Sequence, residues 1–187
     1  MKTILAAILM LSVQAAPLDD FYKFKTGAEW TYKRVEGGSE RKIVGKVVAA
    51  DAGSVRLDWK DYEKDGGLHE SSIVTWSVKD GVLTVEAKKE GDAEGLSFGI
   101  LKDGAKKDET WACTGGKCTY VGKTDVVVPA GTYKDAILTR FKFDDEGLDL
   151  KVEFYLVPKV GLVKIDLVAK DGGANSFELT EFKPEAK

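Results

Sequence analysis

The amino-acid sequence predicts an all-β protein of about ten antiparallel strands, because polar and apolar side chains alternate along short segments that end in turn-forming residues. In residues 54–60, Val55, Leu57 and Trp59 alternate with charged side chains. Residues 148–156 follow the same two-residue period. Such a period gives each strand one apolar face and one wetted face, which is typical of antiparallel sheets.

Glycine, beside aspartate or a second glycine, marks the corners between these segments. Asp80-Gly81 separates two alternating segments and is a strong signal for a two-residue hairpin. Similar corners occur at residues 37–38, 51–53, 65–67, 115–116, 145–147 and 171–173. A sheet of this size tends to curl or to split in two, so a meander, a sandwich and a curled sheet all remain open. Only residues 18–24, which follow Pro17, favour a helix, and that helix would be short.

Residues 1–15 have the features of a secretory signal peptide. Lys2 supplies a positive charge, residues 4–11 form a short apolar run, and Val13 and Ala15 are small residues that suit signal peptidase. We expect cleavage after Ala15, which leaves residues 16–187 as a single β domain exported to the periplasm or the medium. The cleavage site has no neighbouring cysteine, and no later segment could span a bilayer as a helix. We therefore expect no lipid-modified N-terminus and no transmembrane anchoring after cleavage.

The charge pattern argues against a nucleic-acid partner. The chain has 28 basic and 31 acidic residues and a net charge of −3, and both signs are interspersed along it. Nucleic-acid binding requires a basic patch, and no such cluster is visible in the sequence.

The segment between the two cysteines is the most specific local feature. If Gly115 and Gly116 are the turn residues of a hairpin, Cys113 and Cys118 form a directly opposed pair that is not hydrogen-bonded. Such pairs bring the Cα atoms to about 4.5 Å, which is at the close end of disulfide geometry. In an oxidising compartment this arrangement predicts a structural disulfide between Cys113 and Cys118, which we favour over a redox-active pair.

The sequence offers no recognisable catalytic, metal or cofactor motif, so a non-enzymatic protein without cofactors is expected. His69 is the only histidine, and it lacks a positioned nucleophile. Zinc would need three or four ligands, and one histidine with two paired cysteines does not supply them. Residues 61–66 resemble the start of a calcium loop, but the twelfth position is Ser72 instead of glutamate. Catalysis by two carboxylates that meet in space remains open.

Inward-facing aromatic residues are the candidates for ligand binding. Trp59 and Trp76 lie on the apolar faces of their segments, where core packing is the usual role of such side chains. A curled antiparallel sheet that is lined by aromatics can also hold an apolar ligand in its concavity. The candidate ligand-binding residues are Trp59, Trp76, Phe98, Phe141 and Phe154.

Four short motifs occur in an order that resembles a broad group of uncharacterised bacterial exported proteins, many of them lipoproteins. They are FYKFKTGAEWTY at residues 21–32, VPAGTY at 128–133, VGLVK at 160–164 and FELTEF at 177–182. The resemblance implies a highly curved antiparallel sheet, a half-barrel or flattened barrel similar to periplasmic lipoprotein carriers. It implies no catalytic residues. The chain lacks the lipidation cysteine of the lipoprotein members.

Three functional hypotheses follow. In the first, an exported, non-enzymatic protein binds an apolar or lipid-like molecule in a concave sheet, and this requires a lined cavity of several hundred cubic ångströms. In the second, the protein is a structural or interaction module of the cell envelope that binds another protein through exposed strand edges or apolar patches. In the third, paired carboxylates catalyse a reaction, and at least one of them has a raised pKa.

Overall fold

The computed structural model describes residues 17–89, 91–92, 94–144, 150–169 and 174–184. The predicted signal peptide and its cleavage site lie outside these described residues, as do the predicted turns at 145–147 and 171–173.

The described residues form one short helix and twelve strands, so the predicted all-β class is confirmed with two strands more than expected. The elements are α1 (Asp19–Tyr22), β1 (Glu29–Glu36), β2 (Ser39–Ala50), β3 (Ser54–Tyr62), β4 (Leu68–Lys79), β5 (Val82–Lys89), β6 (Leu96–Lys102), β7 (Thr110–Cys113), β8 (Gly116–Val128), β9 (Gly131–Phe143), β10 (Leu150–Val157), β11 (Gly161–Ala169) and β12 (Ala174–Lys183).

The twelve strands form one antiparallel meander with the order β6-β5-β4-β3-β2-β1-β12-β11-β10-β9-β8-β7. Consecutive strands pair within each half of the chain, and β1 pairs with β12 to join the two halves. The predicted hairpin at Asp80-Gly81 is confirmed, because Lys79 pairs with Val82 and both turn residues have positive φ.

The sheet curls until its two edge regions approach each other and form a nearly closed barrel. The seam lies between β6 and β7, the two edge strands of the sheet, and hydrogen bonds from side chains bridge it. Trp111 Nε1 donates to the Gly99 carbonyl over 2.9 Å, and Thr139 Oγ1 donates to the Ile100 carbonyl over 2.7 Å. Bulges such as the one between Tyr155 and Leu156 bend individual strands and favour this curvature.

Alternate residues of the strands point into the barrel and form its core. In β10, Val152, Phe154 and Leu156 are buried, while the residues between them are more exposed. The helix is shorter than predicted, at four residues, and it lies at one end of the barrel. There Phe21 and Tyr22 are buried, and Lys159 donates its backbone N–H to the Asp20 carbonyl. We call this end of the barrel, with α1, the floor, and the opposite end the mouth.

The register predicted for the cysteine hairpin is wrong. The turn residues are Thr114 and Gly115, so Cys113 pairs with Gly116, and Cys118 pairs with Trp111. The two cysteines are therefore diagonal neighbours instead of a directly opposed pair, and both thiols are free. The predicted disulfide is not present.

Candidate ligand cavity

The curled sheet surrounds a partly open cavity of about 380 Å³ whose lining residues extend from the floor to the mouth. Its volume lies in the lower part of the range of small-molecule pockets, which is about 300–1,000 Å³. Seventeen of its lining residues are aliphatic or aromatic: Ile43, Trp59, Val74, Trp76, Val85, Ala87, Leu96, Phe98, Ile100, Phe143, Leu150, Val152, Phe154, Leu162, Ile165, Leu167 and Phe177. The other four are Arg34, Asp61, Glu70 and Ser72.

The floor is closed by packed aromatic rings. Trp30 stacks on Phe182 with 5.1 Å between ring centroids and on Trp76 with 6.4 Å. Phe24, which follows α1, meets Trp30 edge to face at 4.7 Å. The backbone of Gly161 lies so close to Phe24 and Trp76 that an added Cβ would be 3.1 Å from the Phe24 ring. This glycine therefore allows β11 to begin against the aromatic floor.

The mouth is the more exposed end of the cavity. Leu162 and Trp76 line the cavity near the floor and are buried. Leu96 lines the cavity at the mouth, where β6 begins, and is 64% exposed. Exposure of the lining therefore increases from the floor towards the mouth, and a ligand would reach the apolar interior from the mouth.

Four of the five aromatic residues singled out from the sequence line this cavity. They are Trp59, Trp76, Phe98 and Phe154. Phe141 does not line it; this residue is 1% exposed and packs edge to face against Phe98, with 5.1 Å between centroids. The structure thus brings four of these candidates to one cavity and places the fifth in the core behind it.

The aliphatic residues of the lining are absent from the sequence-based prediction, which named only aromatic candidates. The same alternation that places Trp76 inward also places Val74 inward on β4, and Val152 lies two residues before Phe154 on β10. The polar lining was missed as well, because Arg34 and Glu70 lie near strand ends, where the alternation of polarity no longer indicates which face is buried.

Four side chains of alternating charge form a ring at the mouth, and we call them the charged ring: Arg34, Asp61, Arg41 and Glu36. Asp61 Oδ2 lies 3.1 Å from Arg34 Nη1 and 3.4 Å from Arg41 Nη1. Glu36 Oε2 lies 2.7 Å from the Nη2 atoms of the same two arginines. Each carboxylate thus faces both guanidinium groups, and the four formal charges cancel. The Arg34 guanidinium also lies over the Phe177 ring, 5.2 Å from its centroid.

A second ion pair lies beside this ring. Lys89 Nζ is 2.8 Å from Glu70 Oε2, and Ser72 Oγ donates to Glu70 Oε1 over 3.3 Å. The hydrogen bond from Lys89 holds the pKa of Glu70 below its ordinary value of 4.5 although partial burial opposes this shift. Glu70 is therefore a stabilised carboxylate, which is the opposite of what a proton donor near neutral pH requires.

Within the described ranges, three buried side-chain nitrogen or oxygen atoms have no hydrogen-bond partner. They are Arg34 Nε, Asp61 Oδ1 and Trp76 Nε1. All three belong to residues that line the cavity. Buried polar groups in native proteins are nearly always hydrogen-bonded, to protein atoms or to ordered water, so these three atoms mark the positions along the cavity wall where a hydrogen-bonding partner is expected.

The surroundings of Asp61 and His69 do not resemble a metal site. Asp61, the first position of the weak calcium-loop match, is neutralised by two arginines, which oppose a cation. His69 Nδ1 lies 2.6 Å from Glu63 Oε1 on an exposed part of β4. In the part of the chain that the structure describes, no group of three potential metal ligands meets.

The two thiols lie at the seam between β6 and the β7–β8 hairpin. Cys113 Sγ donates to the Gly99 carbonyl over 3.3 Å, and Cys118 is fully buried. Burial raises the pKa of the Cys113 thiol and raises that of Cys118 to about 12. Both thiols are therefore protonated near neutral pH and are poor nucleophiles.

Two open grooves, of about 680 and 710 Å³, lie on the outside of the mouth. Their shared lining residues include Glu40, Arg41, Glu63 and Lys64, so they are charged and solvated. The cavity inside the sheet is the better ligand site because its lining is mainly apolar. Among the described residues, no helix has the length and apolarity needed to cross a membrane.

Comparison with known proteins shows the fold. No protein-family model and no curated protein matches the chain. The structure of a "putative lipoprotein" from Parabacteroides distasonis is similar, with 14% identity, a TM-score of 0.66 and coverage of 88% of this chain and 100% of that one. A "putative exported protein with YmcC-like fold" from Bacteroides fragilis is 13% identical, with a TM-score of 0.60 and coverage of 87% and 98%. At such identities the likeness extends to the fold and to no residue's role.

Proposed function

We propose that this chain is an exported, non-enzymatic protein that binds an apolar or lipid-like molecule inside its curled sheet. The observation that carries the proposal is the cavity of about 380 Å³, which apolar side chains line from the aromatic floor to the mouth. A core that only stabilised the fold would be packed without such a space, because protein interiors are packed as densely as organic crystals.

The lining composition favours an apolar ligand. Small-molecule pockets are lined mainly by apolar and aromatic side chains, with a few polar groups that orient the ligand. Here the polar groups are confined to Arg34, Asp61, Glu70 and Ser72, and the remainder of the wall offers no charge. The ligand would bury its apolar part along Phe98 and Phe154 and keep any polar part at the mouth.

Export is supported by two independent features. The first is the pattern of residues 1–15, with an early lysine, a short apolar run and small residues before the expected cleavage site after Ala15. The second is the fold shared with proteins described as exported or as a lipoprotein. The destination would be the periplasm or the medium.

The charges at the mouth support a binding role over acid–base catalysis. General acids near neutral pH need a raised carboxyl pKa, whereas that of Glu70 is lowered by Lys89. Asp61 is engaged in ion pairs with Arg34 and Arg41.

A second candidate function is protein binding as an envelope module. The large apolar side chains that are most exposed include Val127 at 70%, Leu96 at 64% and Leu68 at 58%. Val127 is one residue from the floor end of β8, whereas Leu68 and Leu96 begin their strands at the mouth. These residues do not form one patch, so the cavity carries the stronger argument.

Binding of the apolar dye N-phenyl-1-naphthylamine tests the proposal. We expect the full chain to bind the dye with enhanced fluorescence, and Ala87→Trp, which fills the cavity, to weaken binding by about tenfold or more. Ala49→Trp is the matched control, since Ala49 is exposed on β2 and does not line the cavity. Circular-dichroism melting verifies that both variants fold. If the dye fails to bind, or if both variants bind it as the unmodified chain does, the cavity is not a ligand site.

A further inference from the structure

We propose that the cavity takes a single-chain amphiphile with an uncharged, hydroxyl-bearing head group, such as a monoacylglycerol. This inference rests on the proposed function and deepens it. It combines three features of one place: an apolar channel, a charge-balanced ring at its mouth, and two buried polar atoms without partners.

The unpartnered atoms define the hydrogen bonds that the head group must make. The Asp61 side chain is only 8% exposed, and Oδ2 takes both arginine contacts, so Oδ1 is a buried anionic acceptor without a donor. Arg34 Nε is a buried donor without an acceptor. A hydroxyl group satisfies the first atom and an ester oxygen satisfies the second. Leaving either atom unpaired away from water is costly, so a ligand that supplies both groups gains affinity.

The charge balance selects against ionised head groups. Arg34 and Arg41 are matched by Glu36 and Asp61, and Lys89 is matched by Glu70. Among the described residues that line the cavity, Arg34 is the one cation, and it is already paired with Glu36 and Asp61. A fatty-acid carboxylate in the cavity would therefore approach the carboxylates of Asp61 and Glu70, and like charges in a partly desolvated site repel. A neutral head group meets no such penalty.

The dimensions of the cavity select one acyl chain. Its volume of about 380 Å³ is small for a ligand pocket, and the aromatic floor at Trp76 and Phe24 closes it. The chain would lie against Phe98 and Phe154. Its end would approach the apolar ring of Trp76, which lines the cavity near the floor.

Competition against bound N-phenyl-1-naphthylamine tests the head-group assignment on the full chain, with the two amphiphiles below their micellar concentrations and the alkane below its solubility limit. The ligands are 1-decanoylglycerol, decanoate and decane, which share a ten-carbon chain and differ at the head. We expect 1-decanoylglycerol to displace the dye at a concentration about tenfold lower than decanoate or decane. Equal potency of all three, or a preference for decanoate, would overturn the assignment and leave the apolar cavity intact.

A charge change at the ring gives a second test. Asp61→Asn leaves two arginines against one carboxylate, so the preference for 1-decanoylglycerol over decanoate should fall by about tenfold. The matched control is Asp58→Asn, which makes the same change three residues earlier on β3, where Asp58 pairs with Lys60 over 2.9 Å. The control should keep the unmodified preference, and an equal fall in both variants would contradict the assignment. If Asp61→Asn does not fold, the comparison of the three ligands on the unmodified chain still decides the matter.

Failure of this inference and failure of the proposed function give different results. If the dye binds and Ala87→Trp blocks it, but the head group has no influence, only the head-group assignment is wrong. If the dye does not bind at all, both proposals fail.

Discussion

The two ends of the barrel are built from different chemistry. At the floor, Trp30 stacks between Phe182 and Trp76, and its Nε1 donates to the Val160 carbonyl over 2.7 Å, so this ring is both packed and hydrogen-bonded. At the mouth, Arg34 and Asp61 form ion pairs but keep one unpartnered polar atom each. Among the described residues, Trp76 Nε1 is the one buried side-chain polar atom without a partner at the floor, on a ring packed against Phe24 and Trp30, whereas the mouth has two such atoms, both on charged groups. This difference supports the proposal that the floor mainly stabilises the fold and that the mouth receives the polar part of a ligand.

The largest expected difference between the two ends is in packing. Leu156 is fully buried towards the floor end of β10, whereas Leu96 at the mouth is 64% exposed. We expect Leu156→Ala to lower the free energy of unfolding by about 2–5 kcal/mol, because it removes buried methyl groups and leaves a cavity. The same substitution at Leu96 should change it by less than about 0.5 kcal/mol. Urea denaturation measures both values, and similar losses would mean that the mouth is as tightly packed as the floor.

Thiol labelling tests how well the seam beside the mouth is closed. At pH 8 the native pKa of about 12 for Cys118, against an ordinary value of 9.0, should slow its alkylation by on the order of 1,000-fold relative to the denatured chain. The more accessible Cys113 should react first. Iodoacetamide labelling with mass spectrometry measures both rates, with the denatured chain as the control. Fast labelling of Cys118 would show an open seam, and no labelling of the unreduced, denatured chain would reveal a disulfide.

The smallest expected effect concerns the ion pair at the mouth. Because the folded pKa of Glu70 is lowered, its contribution to stability is present above the ordinary value of 4.5 and is lost as the pH falls through the folded value. Glu70→Gln should therefore lower the melting temperature slightly at pH 7 and lower it less as the pH falls below 4.5. The effect is small because both partners are partly exposed, with side-chain exposures of 60% for Lys89 and 35% for Glu70.

Glu86→Gln is the control for this pH dependence, since Glu86 is exposed on the neighbouring strand. A loss for Glu70→Gln that is as large at pH 3 as at pH 7 would show that shape or packing, and not charge, is responsible.

The sequence predicted the strands better than their arrangement. Val55, Leu57 and Trp59 alternate with charged residues because one face of β3 is buried, and the Asp80-Gly81 turn follows from local backbone preference. The pairing of β1 with β12 joins residues about 150 positions apart, which no local pattern encodes. The strand number left a meander, a sandwich and a curled sheet open, and the resemblance alone favoured the curled sheet. The side-chain bridges across the seam were not predicted.

The cysteine hairpin shows why a local rule can fail. Two adjacent glycines suggested the turn, but only Gly115 serves it, with a φ of 72°. Gly116 is needed for packing, since a Cβ there would collide with the Lys142 carbonyl and would lie 2.6 Å from the Phe141 ring. Contact with β9 therefore sets the register, and this contact is not visible in the hairpin's own residues.

Only part of the candidate site could be predicted from the sequence, because its charged part depends on contacts between residues that are distant along the chain. Inward aromatic residues such as Trp76 could be read from alternation, but the charged mouth requires Arg34 and Asp61 to meet across 27 positions. Asp61 drew attention as a weak calcium ligand, and the structure instead surrounds it with guanidinium groups.

The central claim, that a ligand enters the barrel interior, is tested most directly by fluorine NMR of protein labelled with 5-fluorotryptophan. The chain has four tryptophans. Trp59 and Trp76 line the cavity, whereas Trp111 is buried at the seam outside it. Addition of 1-decanoylglycerol should shift the Trp59 and Trp76 signals and leave that of Trp111 in place. Shifts confined to Trp111, or no shift at a concentration that displaces the dye, would contradict the claim.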